Sequence, residues 1–388
     1  MKKKVMIMIN SLYGGGAERI LQTILWHINR EKYDITVYSM HREAIDDRVY
    51  PTDIQYKFVF DECQSGKRLC NPIRKLTRTL KGVVFCKFSP QIFYRLFFHE
   101  TYDVEVAFIE GESTRIIAGS SNRKSRKYAW IHVDLEQIHW TEVAYRSQEE
   151  EKCCYEKFDK VFCVSESVKS SAEKLFSVIP RSVDVQHNPI DEIKILQAAQ
   201  EPVEKNKLLN GGEIVFISVG RLVPQKGFDR LLKVVYRLKK EGYRFSVNIL
   251  GEGKDRDALE RYVKDNELDS YVSLLGFCSN PYPYIKNADV FISSSRTEGY
   301  STVVCEAIIL GVPVLATDCS GMSEIIGNSG CGIISENSEE GIYRMMKQIL
   351  DDGSQLEKLR EKTLEHRKIF QLKNRMKEIE GILDGTFD

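Results

Sequence analysis

Short apolar runs alternate with longer amphipathic stretches along this 388-residue chain. In the first half the runs lie at 5–9, 35–39, 104–109, 127–131 and 161–164. In the second half they lie at 214–219, 246–250, 272–274, 290–293 and 312–316. Runs of this length that are rich in β-branched residues predict buried strands, and the stretches between them predict helices. The alternation of the two predicts an α/β fold with doubly wound parallel sheets.

The length indicates two such units, because domains commonly contain about 100–200 residues. We predict Rossmann-like domains at 1–190 and 213–365 that face each other across a cleft. A charged stretch that ends in two glycines predicts a linker at 191–212. The Lys-, Glu- and Leu-rich end at 366–388 has no strand after it. It is predicted as a helix that crosses back to pack toward the N-terminal domain.

Composition argues against several classes of protein. The chain has 56 Lys and Arg residues and 56 Asp and Glu residues, so its formal net charge is zero. The overall charge therefore gives no support for a nucleic-acid partner. The ten cysteines form no C-x-x-C pair and have no histidine cluster beside them, which predicts reduced thiols and no metal site. The first apolar run is shorter than the about 7–15 residues of a signal core, and no run approaches the roughly 18 residues of a membrane span. We therefore expect a cytoplasmic protein.

Two carboxylates, Glu298 and Glu306, follow the predicted strand at 290–293 and flank a predicted helix start. Eight helical residues would span about 12 Å, which exceeds the roughly 5–9.5 Å between the paired carboxylates of a glycosidase. We therefore expect them to bind hydroxyls at two ends of one ligand. The alternative is that Glu306 faces solvent.

The residues between these carboxylates predict an anion site. Gly299 allows a ligand to approach the backbone closely, and Ser301 or Thr302 can cap the helix. The backbone amides at 299–302, which include Tyr300, then point toward a phosphate.

A basic loop follows the predicted strand at 214–219. It carries Arg221 and Lys226 between two glycines and precedes an amphipathic helix. Two fixed cations beside a helix start suit a diphosphate, whose charge they neutralise as it leaves. The alternative is a solvated basic loop. The Gly251-x-Gly253 turn after the next strand is more typical of tight-turn geometry than of ligand contact.

Two features of the first half point to the same edge of a sheet. Three glycines at 14–16 follow the first strand, and Gly15 and Gly16 would let ligand atoms lie on the backbone. Their pattern is not G-x-G-x-x-G, which disfavours a dinucleotide. His132 ends the strand at 127–131, where it either donates to a substrate oxygen or is a hydrogen-bonded structural histidine.

The segment 67–98 is basic and aromatic. It contains eight Lys or Arg and no acid, with aromatic and aliphatic residues interleaved. This composition is typical of a surface that binds anionic lipid headgroups without spanning the bilayer. It is equally typical of a solvated basic face over a core helix.

These motifs resemble those of the GT-B glycosyltransferases of family 4, retaining enzymes that build bacterial polysaccharides and glycolipids. The resemblance covers nearly the whole chain. Its most specific parts are Glu298-Gly-Tyr-Ser with Glu306, Gly220-Arg-Leu-x-x-x-Lys226-Gly, and Gly311-Val-Pro through Ser323-Glu324. The segments 14–19 and 130–132 add support.

The resemblance implies a role for each candidate residue. Glu298 would contact hydroxyls of the donor sugar, Glu306 the ribose, Arg221 and Lys226 the diphosphate, Gly15 and Gly16 the phosphate or sugar, and His132 the donor sugar. Retention in this family is explained by same-face attack, in which the departing phosphate accepts the proton of the acceptor hydroxyl. That mechanism requires no metal and no cofactor.

We therefore expect transfer of a hexose or N-acetylhexosamine from a nucleotide sugar, with UDP as the expected nucleotide. The acceptor would be a growing lipid-linked bacterial glycan at the inner membrane face. One alternative is a nucleotide-sugar epimerase or phosphorylase of the same fold, although no cofactor lysine for a phosphorylase is identifiable. The other alternative is a catalytically inactive nucleotide-binding protein.

Overall fold

The computed structural model of the protein describes residues 1–60, 72–176, 183–203, 209 and 214–386, and for 72–78 only the backbone. The chain divides into two compact units. Unit 1 comprises Met1–Pro189 and Lys373–Asp388, and unit 2 comprises Ile190–Leu372.

Unit 1 is built on a parallel sheet. Its strands are β1 (Lys3–Ile9), β2 (Tyr33–His41), β3 (Gln55–Phe60), β4 (Val104–Ala107), β5 (Arg126–Ile131), β6 (Lys160–Cys163) and β7 (Val183–Val185). They pair in the order β3-β2-β1-β4-β5-β6-β7. The helices are α1 (Gly16–His27), α2 (Pro72–Lys87), α3 (Pro90–Phe97), α4 (Glu112–Ala118), α5 (Gln148–Tyr155) and α6 (Glu166–Leu175), with a 3₁₀ helix at Trp140–Ala144.

Unit 2 repeats this architecture after helix α7 (Glu192–Ala198). Its strands are β8 (Val215–Val219), β9 (Ser246–Leu250), β10 (Val272–Gly276), β11 (Val290–Ser293), β12 (Val314–Thr317) and β13 (Gly332–Ser335). They pair in parallel in the order β10-β9-β8-β11-β12-β13. The helices are α8 (Phe228–Lys240), α9 (Arg256–Asp265), α10 (Tyr282–Lys286), α11 (Thr302–Ile309), α12 (Met322–Ile325), α13 (Glu339–Asp351) and α14 (Gln355–His366).

The region predicted as a linker is partly helical. Asp191 caps α7 by accepting a hydrogen bond from the Lys194 amide, and Ile195 and Ala199 pack into the core of unit 2. The prediction of a linker did not include this helix, whose outer side chains, such as Ile193 and Lys194, are exposed. Residues 204–208 and 210–212 of this prediction lie outside the described residues.

The last helix, α15 (Leu372–Asp384), starts later than residue 366, because Phe370 packs into the core of unit 2 and the chain turns there. Apart from Leu372, α15 belongs to unit 1. Ile379, Ile382 and Leu383 are buried, and the Tyr33 hydroxyl donates to the Glu380 carbonyl at 3.1 Å. In the part of the chain that is described, no helix has the length and apolar character required to cross a bilayer.

We predict that Ile379→Ala destabilises unit 1 by about 2–4 kcal/mol, because it removes buried methylene groups and leaves a cavity. All three tryptophans, at 26, 130 and 140, lie in unit 1, so their fluorescence during urea denaturation reports this unit. The exposed neighbour change Lys377→Ala is the control. Equal midpoints for both variants would contradict the packing of α15.

Candidate functional site

The predicted site of unit 2 lies where the strand order reverses. β8 and β11 are neighbours in the sheet, but the chain runs outward from them in opposite directions. In parallel sheets, ligands bind outside the carboxyl ends of the strands at such a point. The loop 220–227 follows β8 and the loop 294–301 follows β11. The sheet topology therefore brings the basic loop beside the loop that carries Glu298.

Lys226 and Glu298 form an ion pair between these two loops. Lys226 Nζ lies 2.6 Å from Glu298 Oε1, and the Ser295 hydroxyl donates to the same oxygen at 2.5 Å. Both side chains are largely buried, with exposures of 17% and 10%. Glu298 Oε2 accepts no hydrogen bond from the described residues, so it is available to a ligand hydroxyl.

The two loops approach so closely that glycine is required at position 227. Gly227 has φ +66°, and a Cβ there would lie 2.1 Å from the Ser294 carbonyl oxygen. A side chain would therefore strain the backbone and push the loops apart. The Ser294 hydroxyl also donates to the Lys226 carbonyl at 2.9 Å.

A buried arginine from the first turn of α8 supports the loop that carries Glu298. Arg230 Nη2 donates to the carbonyls of Ser294 and Ser295 at 2.7 Å each, and to Asn337 Oδ1 at 2.6 Å. Its Nε donates to the Ser294 carbonyl at 3.0 Å. A buried guanidinium requires such partners, because unpaired donors would carry a large desolvation cost.

The second carboxylate is buried inside α11. Glu306 is 4% exposed, and its Oε1 accepts from the Tyr282 hydroxyl at 3.4 Å. The alternative in which Glu306 faces solvent is therefore wrong. Glu298 therefore lies before α11 and Glu306 lies in its second turn, as predicted.

The start of α11 differs from the prediction in one respect. Ser301 occupies the N-cap position, but neither its hydroxyl nor Thr302 caps the helix through a side-chain hydrogen bond. The Ser301 hydroxyl is buried and has no partner among the described residues. Just before it, Gly299 packs against Gly321, where a Cβ would lie 2.4 Å from the Gly299 carbonyl oxygen. Tyr300, between Gly299 and Ser301 in the chain, is partly buried.

Arg221 is the exposed cation of the basic loop, and it forms no ion pair with any described residue. The neighbouring glycines at 251 and 253 have a packing role. A Cβ at Gly251 would lie 1.8 Å from the Gly220 carbonyl oxygen, and one at Gly253 would lie 2.3 Å from the Leu222 carbonyl oxygen. The interpretation of this turn as tight geometry is confirmed.

The strand order of unit 1 reverses between β1 and β4, and the glycines at 14–16 follow β1. Gly15 occupies the N-cap position of α1. A Cβ there would lie 2.4 Å from Oε2 of Glu18, whereas Gly16 has no such neighbour within 4 Å. A carboxylate therefore covers Gly15, a feature that the sequence prediction of a phosphate contact did not include.

His132 follows β5 and presents a buried ring nitrogen. Its ring packs on Phe108 with centroids 5.1 Å apart, and its Nε2 has no hydrogen-bond partner among the described residues. Burial lowers the pKa of His132 to about 4, although a hydrogen bond to the Phe108 backbone acts in the opposite direction. The imidazole is therefore neutral at pH 7. Its Nε2 can donate a hydrogen bond to a hydroxyl or accept one from it, depending on the tautomer.

Glu110, in the loop after β4, connects His132 to the 3₁₀ helix of unit 1. It is fully buried, and its Oε2 accepts from the His132 amide at 2.9 Å. Its Oε1 accepts from the Trp140 indole at 3.3 Å. Burial raises the pKa of Glu110 to about 7, and the nearby charge of Glu18 also raises it.

Comparison with known proteins identifies the C-terminal part of the chain. Residues 200–366 match the family model described as glycosyl transferases group 1. This segment is a glycosyl transferases group 1 domain.

Two curated relatives are similar to this protein over most of the chain. It is 26% identical over 358 residues to the N-acetylgalactosamine-N,N'-diacetylbacillosaminyl-diphospho-undecaprenol 4-alpha-N-acetylgalactosaminyltransferase of Campylobacter jejuni, covering 90% of this chain and 91% of that protein. It is 24% identical over 361 residues to the amylovoran biosynthesis glycosyltransferase AmsD of Erwinia amylovora, covering 89% of this chain and 90% of that protein.

A solved structure supports the fold. The crystal structure of Anabaena Alr3699/HepE in complex with UDP and glucose superposes with a TM-score of 0.76 at 16% identity, covering 98% of this chain and 99% of that one. The predicted GT-B class, with two Rossmann-like parallel sheets, is confirmed.

The sequence analysis missed three residues of these sites. In the group 1 domain, Arg230 has a signal in the sequence, because it lies four residues before buried Val234 on the core-facing side of α8. Glu110 has no comparable signal, because its contacts with His132 and Trp140 join segments distant in the chain. Glu18 lies in the segment 14–19 that supports the resemblance, but the sequence analysis assigned it no role.

We predict that the His132 ring titrates with a midpoint near pH 4 in the folded protein. This is measurable from histidine ring resonances, with His132→Gln to assign the peak. Because the folded pKa lies below the usual value of about 6.5, His132 stabilises the fold above pH 6.5 and this contribution is lost as the pH falls toward 4. A midpoint near 6.5 would contradict the buried environment.

Proposed function

We propose that this protein is a retaining glycosyltransferase of family 4 that transfers a hexose or N-acetylhexosamine from a UDP-sugar to a growing lipid-linked glycan. The observation that carries the proposal is the buried Lys226–Glu298 ion pair at the reversal point of the unit 2 sheet. It places a cation for phosphate and a carboxylate for hydroxyls within one hydrogen bond of each other.

The donor binds along this edge of the sheet. Lys226 and Arg221 hold the diphosphate together with the backbone amides at the start of α11, whose dipole favours negative charge. Glu298 accepts hydrogen bonds from hydroxyls of the sugar through Oε2. Glu306, one turn inside α11, accepts from the ribose. The carboxylates thus lie on neutral hydroxyls and away from the phosphates, which they would repel.

Transfer proceeds on one face of the sugar. The bond between the anomeric carbon and the diphosphate oxygen breaks as the acceptor hydroxyl oxygen forms its bond to the same carbon. The departing phosphate oxygen takes the hydroxyl proton. Lys226, Arg221 and the α11 dipole stabilise the charge that develops on the diphosphate, a role that a metal ion fills in other enzymes. The presence of Gly15, Gly16 and His132 beside the donor stays a prediction.

The comparisons support the substrate class. The Campylobacter relative is named for an acceptor linked to diphospho-undecaprenol, and the Anabaena structure contains UDP. Both fit a site that combines fixed cations with carboxylates for hydroxyls.

We predict that Lys226→Ala weakens UDP binding by roughly tenfold or more, because a charge-assisted hydrogen bond to phosphate is lost. Glu298→Gln does not weaken UDP binding but lowers UDP release from UDP-sugars by roughly a hundredfold. Calorimetry measures the first effect, and release assays with a panel of UDP-sugars and a lipid extract measure the second.

The matched control is Lys254→Ala, which removes an exposed cation from the neighbouring loop after β9. It is expected to behave as the wild type in both assays. Unchanged UDP binding in Lys226→Ala, together with unchanged turnover in Glu298→Gln, would refute the assigned site.

We further propose that helices α2 and α3 bind an anionic membrane surface. They expose Leu80, Val83, Ile92 and Leu96, and Phe88 is exposed between them; each of these side chains is between 41% and 55% accessible. Lys87 and Arg95 are exposed on the same helices. Apolar side chains flanked by cations match the boundary between acyl chains and anionic headgroups.

Part of the predicted basic, aromatic surface belongs to the fold instead. Phe85, Phe93, Tyr94 and Phe98 are buried, and Lys81 donates to the Val59 carbonyl at 2.8 Å. For these residues the alternative of a core helix holds. The basic residues at 67 and 68 lie outside the described residues, as do the side chains at 74, 75 and 78.

We predict that the double variant Ile92→Glu/Leu96→Glu loses flotation with vesicles that contain anionic phospholipid, because charge is placed in the membrane interface. Ile193→Glu, which changes an exposed isoleucine in unit 2, is the control and floats as the wild type does. If the double variant floats as well as the control, the membrane surface lies elsewhere.

A further inference from the structure

The 3₁₀ helix Trp140–Ala144 of unit 1 presents apolar side chains to solvent beside the His132 site. Trp140 is 37% exposed and Val143 is 89% exposed, and Ile138 just before the helix is 37% exposed. Large apolar side chains in such a group at the carboxyl edge of a sheet mark a binding surface rather than packing.

Trp140 is fixed in position although it is exposed. Its indole nitrogen donates to Glu110 at 3.3 Å. The opposite edge of its ring lies against Gly111, where a Cβ would be 3.5 Å from Cη2 and 3.6 Å from Cζ3. Gly111 has φ +87°, so the backbone at this contact also favours glycine. A ring held in this way loses little conformational freedom when a ligand stacks on it.

Polar groups suited to hydroxyls lie next to this ring. Glu110 accepts hydrogen bonds from both the Trp140 indole and the His132 backbone amide, so one carboxyl group joins the aromatic ring to the backbone of His132. His132 Nε2 is buried without a partner among the described residues. The site therefore combines the apolar ring face of Trp140 with His132, whose neutral, buried Nε2 can bond to a hydroxyl.

The combination selects one class of ligand. A pyranose ring has an apolar face of C–H groups, which stacks on an aromatic ring, and hydroxyls at its rim. A phosphate is disfavoured, because Glu110 and Glu18 lie close enough for their charges to interact. A lipid chain would leave the His132 nitrogen unpaired.

We propose that Trp140 is a stacking platform for a pyranose ring of the acceptor glycan, and that Glu110 is the positioning residue that holds the platform beside His132. The inference rests on the proposed glycosyltransferase function and adds the acceptor subsite to it.

The test uses p-nitrophenyl glycosides of hexoses and N-acetylhexosamines as acceptor probes with the full-length protein. Trp140→Ala is expected to raise the KM for the accepted glycoside roughly tenfold, with the donor KM and UDP affinity unchanged. Trp140→Phe is expected to restore most of the affinity, since it keeps an aromatic face. Glu110→Gln is expected to raise the acceptor KM more than it lowers kcat.

Trp26→Ala is the matched control. Trp26 is 47% exposed and its indole donates to the Val49 carbonyl at 2.8 Å, so it is an anchored surface tryptophan outside the site. It is expected to leave both KM values unchanged. An unchanged acceptor KM in Trp140→Ala would overturn the platform, as would failure of every glycoside to quench the fluorescence of the wild-type protein.

UDP binding measured on the same samples separates this inference from the function on which it rests. Intact UDP binding without glycoside binding overturns only the platform. If the wild-type protein does not bind UDP, the proposed function itself is overturned.

Discussion

The site of unit 2 depends on one buried charge, the guanidinium of Arg230. Its donors must be satisfied inside the protein, and they are satisfied by the carbonyls of Ser294 and Ser295. This holds the loop after β11 against the start of α8, which in turn requires glycine at 227. Only with the loops in this contact can Glu298 reach Lys226. The position of these two predicted binding residues therefore depends on Arg230, to which no contact with the donor is assigned.

The candidate site residues of the two units differ in charge. Unit 2 presents fixed charges, Lys226 and Arg221, which suit a diphosphate. Unit 1 instead keeps His132 neutral by burial, and burial also raises the pKa of Glu110 toward neutrality. Groups of this kind suit hydroxyls, whose hydrogen bonds require no net charge. The division matches the proposed reaction, in which a sugar passes from a charged diphosphate to a neutral acceptor hydroxyl.

The sequence predicted the central strands of both sheets, because strands buried on both faces have continuous apolar runs. It missed β3, β7 and β13, which are edge strands with partly exposed side chains. It placed Glu298 and Glu306 correctly around a helix start, since that pattern is local. The contacts of Arg230 and Glu110 join segments far apart in the chain, and no local pattern indicates them.

The central claim is that the edge of unit 2 around Lys226 and Glu298 binds the donor, and a crystal structure with a bound UDP-sugar tests it most directly. The account predicts diphosphate oxygens within hydrogen-bond distance of Lys226 and Arg221, a sugar hydroxyl on Glu298 and the ribose on Glu306. A UDP-sugar bound elsewhere, with the Lys226–Glu298 pair making no contact to it, would contradict the account.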